Sequence, residues 1–210
     1  MAIKLEHHFL NDTDLTKVQT TAAVTIPYDL TYVRTSPTAA VTWDTGGFYS
    51  DNTATIVEGD MFYLFGLRSS ESLGAGVAGM IGTTYNAALS IGADAVMVYF
   101  VNNTFVGYQN GNFTSTESFS ANQLYDFRFT FTAAKTFLDR RLSGVEAWTI
   151  WGDKAVDFTG QNCRAQANIL GKTSTDFDLD RFVFTDSEGI PPDVVGGKRA
   201  GKRLIAMGQM

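Results

Sequence analysis

The chain has 210 residues, of which 44% are hydrophobic and only 18% are charged, and it carries a net charge of −6 at pH 7. This length suits one large β domain, and the sixteen phenylalanines are sufficient for a core between two facing sheets. The acidic balance disfavours nucleic acid as a partner, and the single cysteine, Cys163, excludes an intrachain disulfide and a thiolate metal site.

Residues 1–18 are predicted to form an N-terminal arm, because their few apolar side chains are set among charged ones. They contain no apolar core before a cleavage site, so we expect no secretory signal peptide. No stretch further along is long and apolar enough to predict a membrane span. From residue 20 onwards, apolar and polar residues alternate, which predicts short strands. The strands predicted in this part are 22–26, 30–34, 39–43, 53–57 and 61–67.

Residues 69–93 are rich in glycine, alanine and serine, and they give the least definite pattern. A phosphate-binding loop would need Gly-Lys-Ser or Gly-Lys-Thr before a helix, and neither occurs there. We therefore interpret this segment as a long loop with short strands near 77–81 and 87–91. Beyond it, an Asn-Asn pair and an Asn-Gly pair predict tight turns between strands, which makes residues 96–119 a meander.

The most regular pattern lies in residues 120–151. In the run 125–131, aromatic residues alternate with polar ones, which is typical of a strand with one buried face. Trp148 and Trp151 are three residues apart, so they should lie on opposite faces of a following strand, and at least one should be in the core. Between these two strands, residues 135–142 are predicted to form one short helix.

Further short strands are predicted at 155–158, 165–170 and 177–184. About a dozen strands with at most one helix predict an all-β fold, an antiparallel β-sandwich of the jelly-roll type. We expect the sandwich to span residues 19–187 and a C-terminal tail to span residues 188–210.

Four stretches support a family resemblance: FYLFGLRSS at 62–70, LYDFRFTFT at 124–132, AWTIW at 147–151 and FDLDRFVFTD at 177–186. Their order around a meander resembles the concanavalin A-like jelly roll of laminin-G-type domains, lectins and glucanases. The resemblance covers roughly residues 45–186 and is a likeness of pattern, so it implies the fold and not an activity.

The chain as a whole is also similar in type to bacteriophage virion proteins. It combines a predicted β body, a single cysteine, many Thr, Asn and Gly residues, and predicted arms at both ends. This similarity implies synthesis in the host cytoplasm and a place in the virion, with other virion proteins and further copies of the chain as partners.

The titratable residues do not predict catalysis. Glycosidases of the resembling fold carry carboxylates in an E-x-D-x-x-E run, so that acid and nucleophile face one cleft, and no such run occurs here. The two histidines, His7 and His8, both fall in the predicted arm, which leaves the body without a histidine base for a Ser-His-Asp site. We therefore expect a protein that is not an enzyme and that needs no cofactor.

Two groups of side chains are candidates for ligand binding. One group consists of Asp176, Asp178 and Asp180, which share one face of a predicted strand. Clustered carboxylates suit Ca²⁺, but the flanking residues do not fit an EF-hand, and we favour a solvated strand face over a metal site. The second group consists of aromatic rings that would stack on the apolar face of a sugar if they were exposed, although aromatic residues in sandwiches usually belong to the core. The candidates for sugar contact are Trp43, Tyr49, Tyr108, Trp148 and Trp151.

The predicted tail combines basic and apolar residues, which are Lys198, Arg199, Lys202, Arg203, Leu204, Ile205 and Met207. We interpret this combination as a docking segment, whose apolar part lies on a neighbouring subunit while its cations meet the acidic body of that subunit.

The sequence thus favours a non-enzymatic virion protein that assembles through its arms into a homo-oligomer, as a capsid decoration, fibre or tail component. The alternative is a carbohydrate-binding, lectin-like module or adhesin that presents aromatic residues to host glycans. A hydrolase with an atypical site is the third hypothesis.

Overall fold

A computed structural model of the chain describes residues 3–7, 15–18, 28–29, 40–43, 46–69, 78–84, 95–101, 104–118, 120–143, 147–170, 177–179 and 181–188. These residues form strands and turns, and none of them belongs to a helix that could cross a membrane. In chain order the strands are β1 (Ile3–His7), β2 (Leu15–Val18), β3 (Tyr28–Asp29), β4 (Ala40–Trp43), β5 (Gly46–Ser50), β6 (Ala54–Thr55), β7 (Met61–Ser69), β8 (Ala78–Thr84), β9 (Ala95–Val101), β10 (Thr104–Tyr108), β11 (Glu117–Ser118), β12 (Tyr125–Phe131), β13 (Thr136–Leu142), β14 (Thr149–Lys154), β15 (Asn162–Leu170), β16 (Phe177–Leu179) and β17 (Arg181–Thr185).

The strands form two antiparallel sheets. The nine-stranded sheet has the order β14-β13-β12-β7-β16-β4-β3, and β17 joins it by pairing with both β7 and β1. The eight-stranded sheet has the order β11-β10-β9-β8-β15-β5-β2, and β6 pairs with β15. This architecture confirms the predicted all-β sandwich of the jelly-roll type.

A single large cluster of buried side chains lies between the two sheets. Strand β12 of the nine-stranded sheet supplies four of them, Tyr125, Phe127, Phe129 and Phe131, as its alternating pattern predicted. Phe105 of β10 reaches this strand from the other sheet, with its ring 5.8 Å from that of Phe127. Rings from both sheets therefore interlock in the core.

The prediction of a helix over residues 135–142 is wrong, because this segment is strand β13. It pairs with β12 on one side and with β14 on the other, and Thr136 and Leu138 are fully buried. The polar residues that suggested an exposed helix, Asp139 and Arg141, lie opposite Arg128 and Asp126 of β12. Cross-strand charge pairing therefore overrides the local helical preference.

The prediction that residues 1–18 form an arm outside the sandwich also differs from the structure. Strand β1 pairs with β17 in one sheet, and β2 pairs with β5 in the other. Leu5 is 7% exposed and belongs to the central core. Residues 3–7 therefore belong to the nine-stranded sheet. The burial of Leu5 and the pairing with β17 stabilise this short charged strand.

The predicted meander is confirmed where the structure describes it. Thr104 lies opposite Val101, so β9 and β10 form a tight hairpin. Asn110 and Gly111 both have positive φ values, 46° and 124°, as a tight Asn-Gly turn requires. Other predictions fall outside the described residues: the strands at 22–26, 30–34 and 87–91, and the C-terminal tail beyond residue 188.

Candidate ligand-binding face

Each sheet has one face in the core and one face that points away from it. On β9, Val96, Val98 and Phe100 belong to the central core cluster. Since side chains alternate along a strand, Met97 and Tyr99 lie on the opposite, outward face. The same alternation on β15 places Ala165 and Ala167 in the core and their neighbours Arg164 and Gln166 outward. These outward residues lie on the outer face of the eight-stranded sheet.

A row of residues crosses this face at a right angle to the strands. The residues that lie opposite one another on successive strands are Tyr108, Met97, Gly82, Gln166 and Tyr49. Because the two tyrosines are four strand spacings apart, the row is about 19 Å long. We call these five residues the tyrosine row.

The middle residue of the tyrosine row is Gly82, which has no side chain. A Cβ atom at this position would lie 2.3 Å from the carbonyl oxygen of Val96 and 2.6 Å from the Cα atom of Met97. Both neighbours are backbone atoms that cannot turn away, so strands β8 and β9 approach at a distance that only glycine permits. Gly82 and its two neighbours in the row are buried, and Met97 and Gln166 are 0% and 1% exposed.

One end of the row is an aromatic pair. The rings of Tyr108 and Tyr99 have their centroids 5.5 Å apart, at an angle of 48°. Both side chains are half-buried, and both pack on Met97, which is fully buried. The pair is therefore fixed from below and presents ring surface outward.

Arg164 organises the other end of the row. Its guanidinium carbon lies 5.1 Å from the centre of the half-buried Tyr49 ring, and its Nη1 donates a hydrogen bond to the carbonyl oxygen of Ser50 at 3.3 Å. This cation–π contact orients the tyrosine.

The phenol groups of Tyr49, Tyr99 and Tyr108 have no hydrogen-bond partner among the described residues. Each phenol can both donate and accept a hydrogen bond, and each remains available to an external partner. One face of the sandwich thus combines half-buried rings with hydroxyl groups that no described residue uses.

The outward face of the nine-stranded sheet also carries aromatic residues and arginines, but these are already paired with one another. The guanidinium carbons of Arg141 and Arg128 lie 4.3 Å and 4.9 Å from the centre of the Trp148 ring. Tyr63 packs on the same tryptophan with a centroid distance of 6.0 Å. Trp148 therefore has little ring surface left for a sugar.

The arginines of this second face have carboxylate partners. Arg141 donates through Nε to Asp126 Oδ2 at 2.9 Å, and both side chains are only 2% exposed. Arg128 donates to Asp139 through two nitrogen atoms, at 2.8 Å and 2.5 Å. Asp126 also accepts hydrogen bonds from the Gly66 amide and from Ser143 Oγ, so its carboxylate is fully used.

The structure separates the five aromatic residues proposed for sugar contact. Tyr49 and Tyr108 lie in the tyrosine row. Trp148 lies on the opposite side of the molecule, and Trp151 belongs to the core, where its Nε1 donates to Ser115 Oγ at 3.1 Å. Trp43 lies in β4 opposite Phe177 of β16, and its side chain is outside the described part. The expectation that one of the two tryptophans is buried is confirmed.

Sequence reasoning missed the remaining members of this face, which are Tyr99, Met97, Gly82, Gln166 and Arg164. The alternation along β9 was readable, but both of its sides are apolar, so the pattern alone does not indicate which side faces the other sheet.

Most of the proposed calcium ligands and all of the proposed docking residues lie outside the described residues. Asp178 lies in β16, whereas Asp176 and Asp180 are outside the described residues, as are residues 198–207. Within the described part, no group of three or more potential metal-ligating side chains lies close enough to hold an ion.

No family model matches the chain, and no curated protein matches it in sequence. Solved structures do resemble it. A protein of unknown function from Shewanella oneidensis MR-1 superimposes with a TM-score of 0.60 at 11% identity, covering 89% of this chain and 87% of that one. The catalytic domain of a GH131 β-glucanase from Podospora anserina gives 0.59 at 10% identity, with 85% of each chain covered. Peanut lectin gives 0.55 at 9% identity, with 86% and 95% covered.

Identities this low show a shared fold and nothing finer. The chain therefore has the jelly-roll sandwich of the concanavalin A-like lectins and glucanases, as the sequence resemblance implied.

Proposed function

We propose that the protein is a carbohydrate-binding, lectin-like module that binds glycans on the outward face of its eight-stranded sheet. The observation that carries this proposal is the tyrosine row, with half-buried rings at both ends and a glycine between them. The lectins and the glucanase among the similar structures support it at the level of fold. This role corresponds to the alternative hypothesis from the sequence.

The chemistry of the row suits a sugar chain. The apolar face of a pyranose packs on an aromatic ring, while its hydroxyl groups need partners that both donate and accept. Tyr49, Tyr99 and Tyr108 supply rings and unused phenol groups together. The length of the row, about 19 Å, suits an oligosaccharide better than a single sugar.

We propose further that binding occurs without turnover. The chain lacks the run of alternating carboxylates that glycosidases of the resembling fold use, and the row itself contains no acid. Incubation with β-glucans and other polysaccharides should therefore release no reducing ends above the rate without protein. Release that a tyrosine-row substitution abolishes would contradict this part of the proposal.

The test is a glycan array followed by calorimetric titration of the best oligosaccharide. We expect Tyr49→Ala and Tyr108→Ala each to weaken binding about threefold to tenfold, because each removes one stacking contact. The matched control is Phe137→Ala, which removes a half-buried aromatic ring from the other sheet. All three variants should retain cooperative thermal unfolding.

Two results would contradict the proposal. One is the absence of binding to any glycan on a broad array at millimolar protein. The other is binding that Phe137→Ala weakens and the two tyrosine substitutions leave unchanged.

The virion role favoured by the sequence stays a prediction. The tail residues on which it depends lie outside the described part of the chain, and a virion protein that binds host glycans would fulfil both roles.

A further inference from the structure

Strand β1 is held by residues that are far from it in the chain. Among the described strands it pairs with β17 alone, in the register Ile3 to Thr185, Leu5 to Phe184, Glu6 to Val183 and His7 to Phe182. Lys4 and Glu6 of this strand bind Thr55, Asp60 and Arg181, which lie at least fifty-one positions away. The contacts cited for β1 are therefore all made to residues distant in the chain.

One end of this site recognises a cation. Lys4 Nζ donates to the carboxylate of Asp60 and, at 3.2 Å, to the carbonyl oxygen of Thr55. Asp60 is 2% exposed, and it also accepts the Val57 amide at 2.6 Å. The site thus contains a buried carboxylate, that of Asp60, which binds the ammonium group of Lys4.

The rest of the site recognises an apolar residue followed by an acid. Leu5 lies opposite Phe184 and enters the central core. Glu6 accepts from Arg181 Nη1 at 3.4 Å, and Arg181 lies 4.7 Å over the ring of Phe65. Cation, leucine and acid are consecutive in β1, and each of the three meets a complementary group in the sandwich.

We propose that the edge of β17 is a strand-acceptor site for the β1 strand of a second copy of this chain, and that two copies exchange these strands reciprocally. Every contact made within one chain is reproduced between two chains, so exchange forms a dimer without any new interface chemistry.

The topology favours exchange of β1 alone. The next strand, β2, lies in the other sheet and pairs with β5. Transfer of β1 therefore leaves the eight-stranded sheet and its tyrosine row intact in both copies. A dimer of this kind would carry two glycan faces, but its formation does not depend on glycan binding.

A charge-swap experiment on full-length chains tests the proposal. In E6R the cation at position 6 meets Arg181 of its own chain, and in R181E the acid at position 181 meets Glu6 of its own chain. Mixing the two variants permits a reciprocal dimer in which both pairs are complementary. We expect a species of twice the monomer mass, at least about tenfold in excess of either homodimer, with a higher Tm than each variant alone.

The double variant E6R/R181E is the matched control, since it restores complementarity within one chain and should regain the Tm of the unaltered protein. If this control recovers while the mixture stays monomeric at high concentration, β1 docks only within its own chain and the proposal is overturned.

A second measurement is independent of these charges, should R181E fail to fold. I3C and T185C chains are incubated together and then oxidised, because these positions face each other across the β1–β17 pair. We expect a covalent heterodimer that a mixture of I150C and T185C does not form, Ile150 being 79% exposed on another strand. No difference between the two mixtures would overturn the proposal.

Discussion

The two outward faces of this sandwich use similar residues in opposite ways. Both carry aromatic rings with an arginine stacked on them. On the nine-stranded sheet, Arg141 and Arg128 are bound by Asp126 and Asp139 and enclose Trp148. On the eight-stranded sheet, the phenol groups of the three tyrosines remain without partners in the described part of the protein.

The difference shows that an aromatic residue near an arginine is not by itself a sign of a binding site. What matters is whether the polar groups around the ring are already satisfied by the protein. On the nine-stranded face the carboxylates of Asp126 and Asp139 bind both arginines, although Nη2 of Arg141 is buried without a hydrogen-bond partner among the described residues. We call this the closed face and expect it to contribute to stability. The eight-stranded face has phenol groups without partners among the described residues, so we call it the open face and expect it to contribute to binding. The predictions below test this division.

The largest effect is expected from Asp126→Ala on the closed face. It removes the partner of Arg141, which is 2% exposed at the side chain, and breaks two further hydrogen bonds. The free energy of unfolding should fall by about 3–5 kcal/mol, because a buried charge loses its counterion. Urea denaturation measures this loss. A loss below about 1 kcal/mol would show that the pair is not a structural element.

Gly82→Ala should have the next largest effect, on the open face. Its Cβ would meet backbone atoms of β9, so the two strands must separate, at a cost of about 1–3 kcal/mol. Because this separation would also displace Met97 of the tyrosine row, it should weaken glycan binding. Thermal unfolding and titration of the same sample measure both changes. Unchanged affinity in a destabilised variant would place the ligand elsewhere.

Alternation of polar and apolar residues predicted some strands of the sandwich and not others. The alternating run of β12 predicted its buried face correctly, because its two sides differ strongly in polarity. The same rule failed for β13, where Asp139 and Arg141 look solvent-exposed until their partners on β12 are known. It also failed for β1, which looks like a charged arm until Asp60 and Arg181 are seen to receive it. Partners distant in sequence were the missing information in both cases.

The candidate site was only half visible for a related reason. Tyr49 and Tyr108 were named as rings that would stack on a sugar if they were exposed, and both lie on the open face. Trp148 and Trp151 were named on the same grounds, and neither lies there. Register across five strands brings the tyrosines into one row, and no local pattern encodes register between strands so far apart in the chain.

Trp148→Ala should have the smallest effect on stability of the three. It removes a half-buried ring and two cation–π contacts at the surface, so the free energy of unfolding should fall by about 1–2 kcal/mol. Glycan affinity should stay unchanged, as titration of the folded variant will show. A loss of affinity similar to that of Tyr108→Ala would mean that the closed face also binds.

The most direct test of the division between the faces is an NMR titration of protein labelled on its eight tyrosines, with the best oligosaccharide from the array. We expect the signals of Tyr49, Tyr99 and Tyr108 to shift until the binding site is saturated. Tyr63 on the closed face and Tyr125 in the core should not move. Saturable shifts of Tyr63 without shifts of the three others would contradict the account.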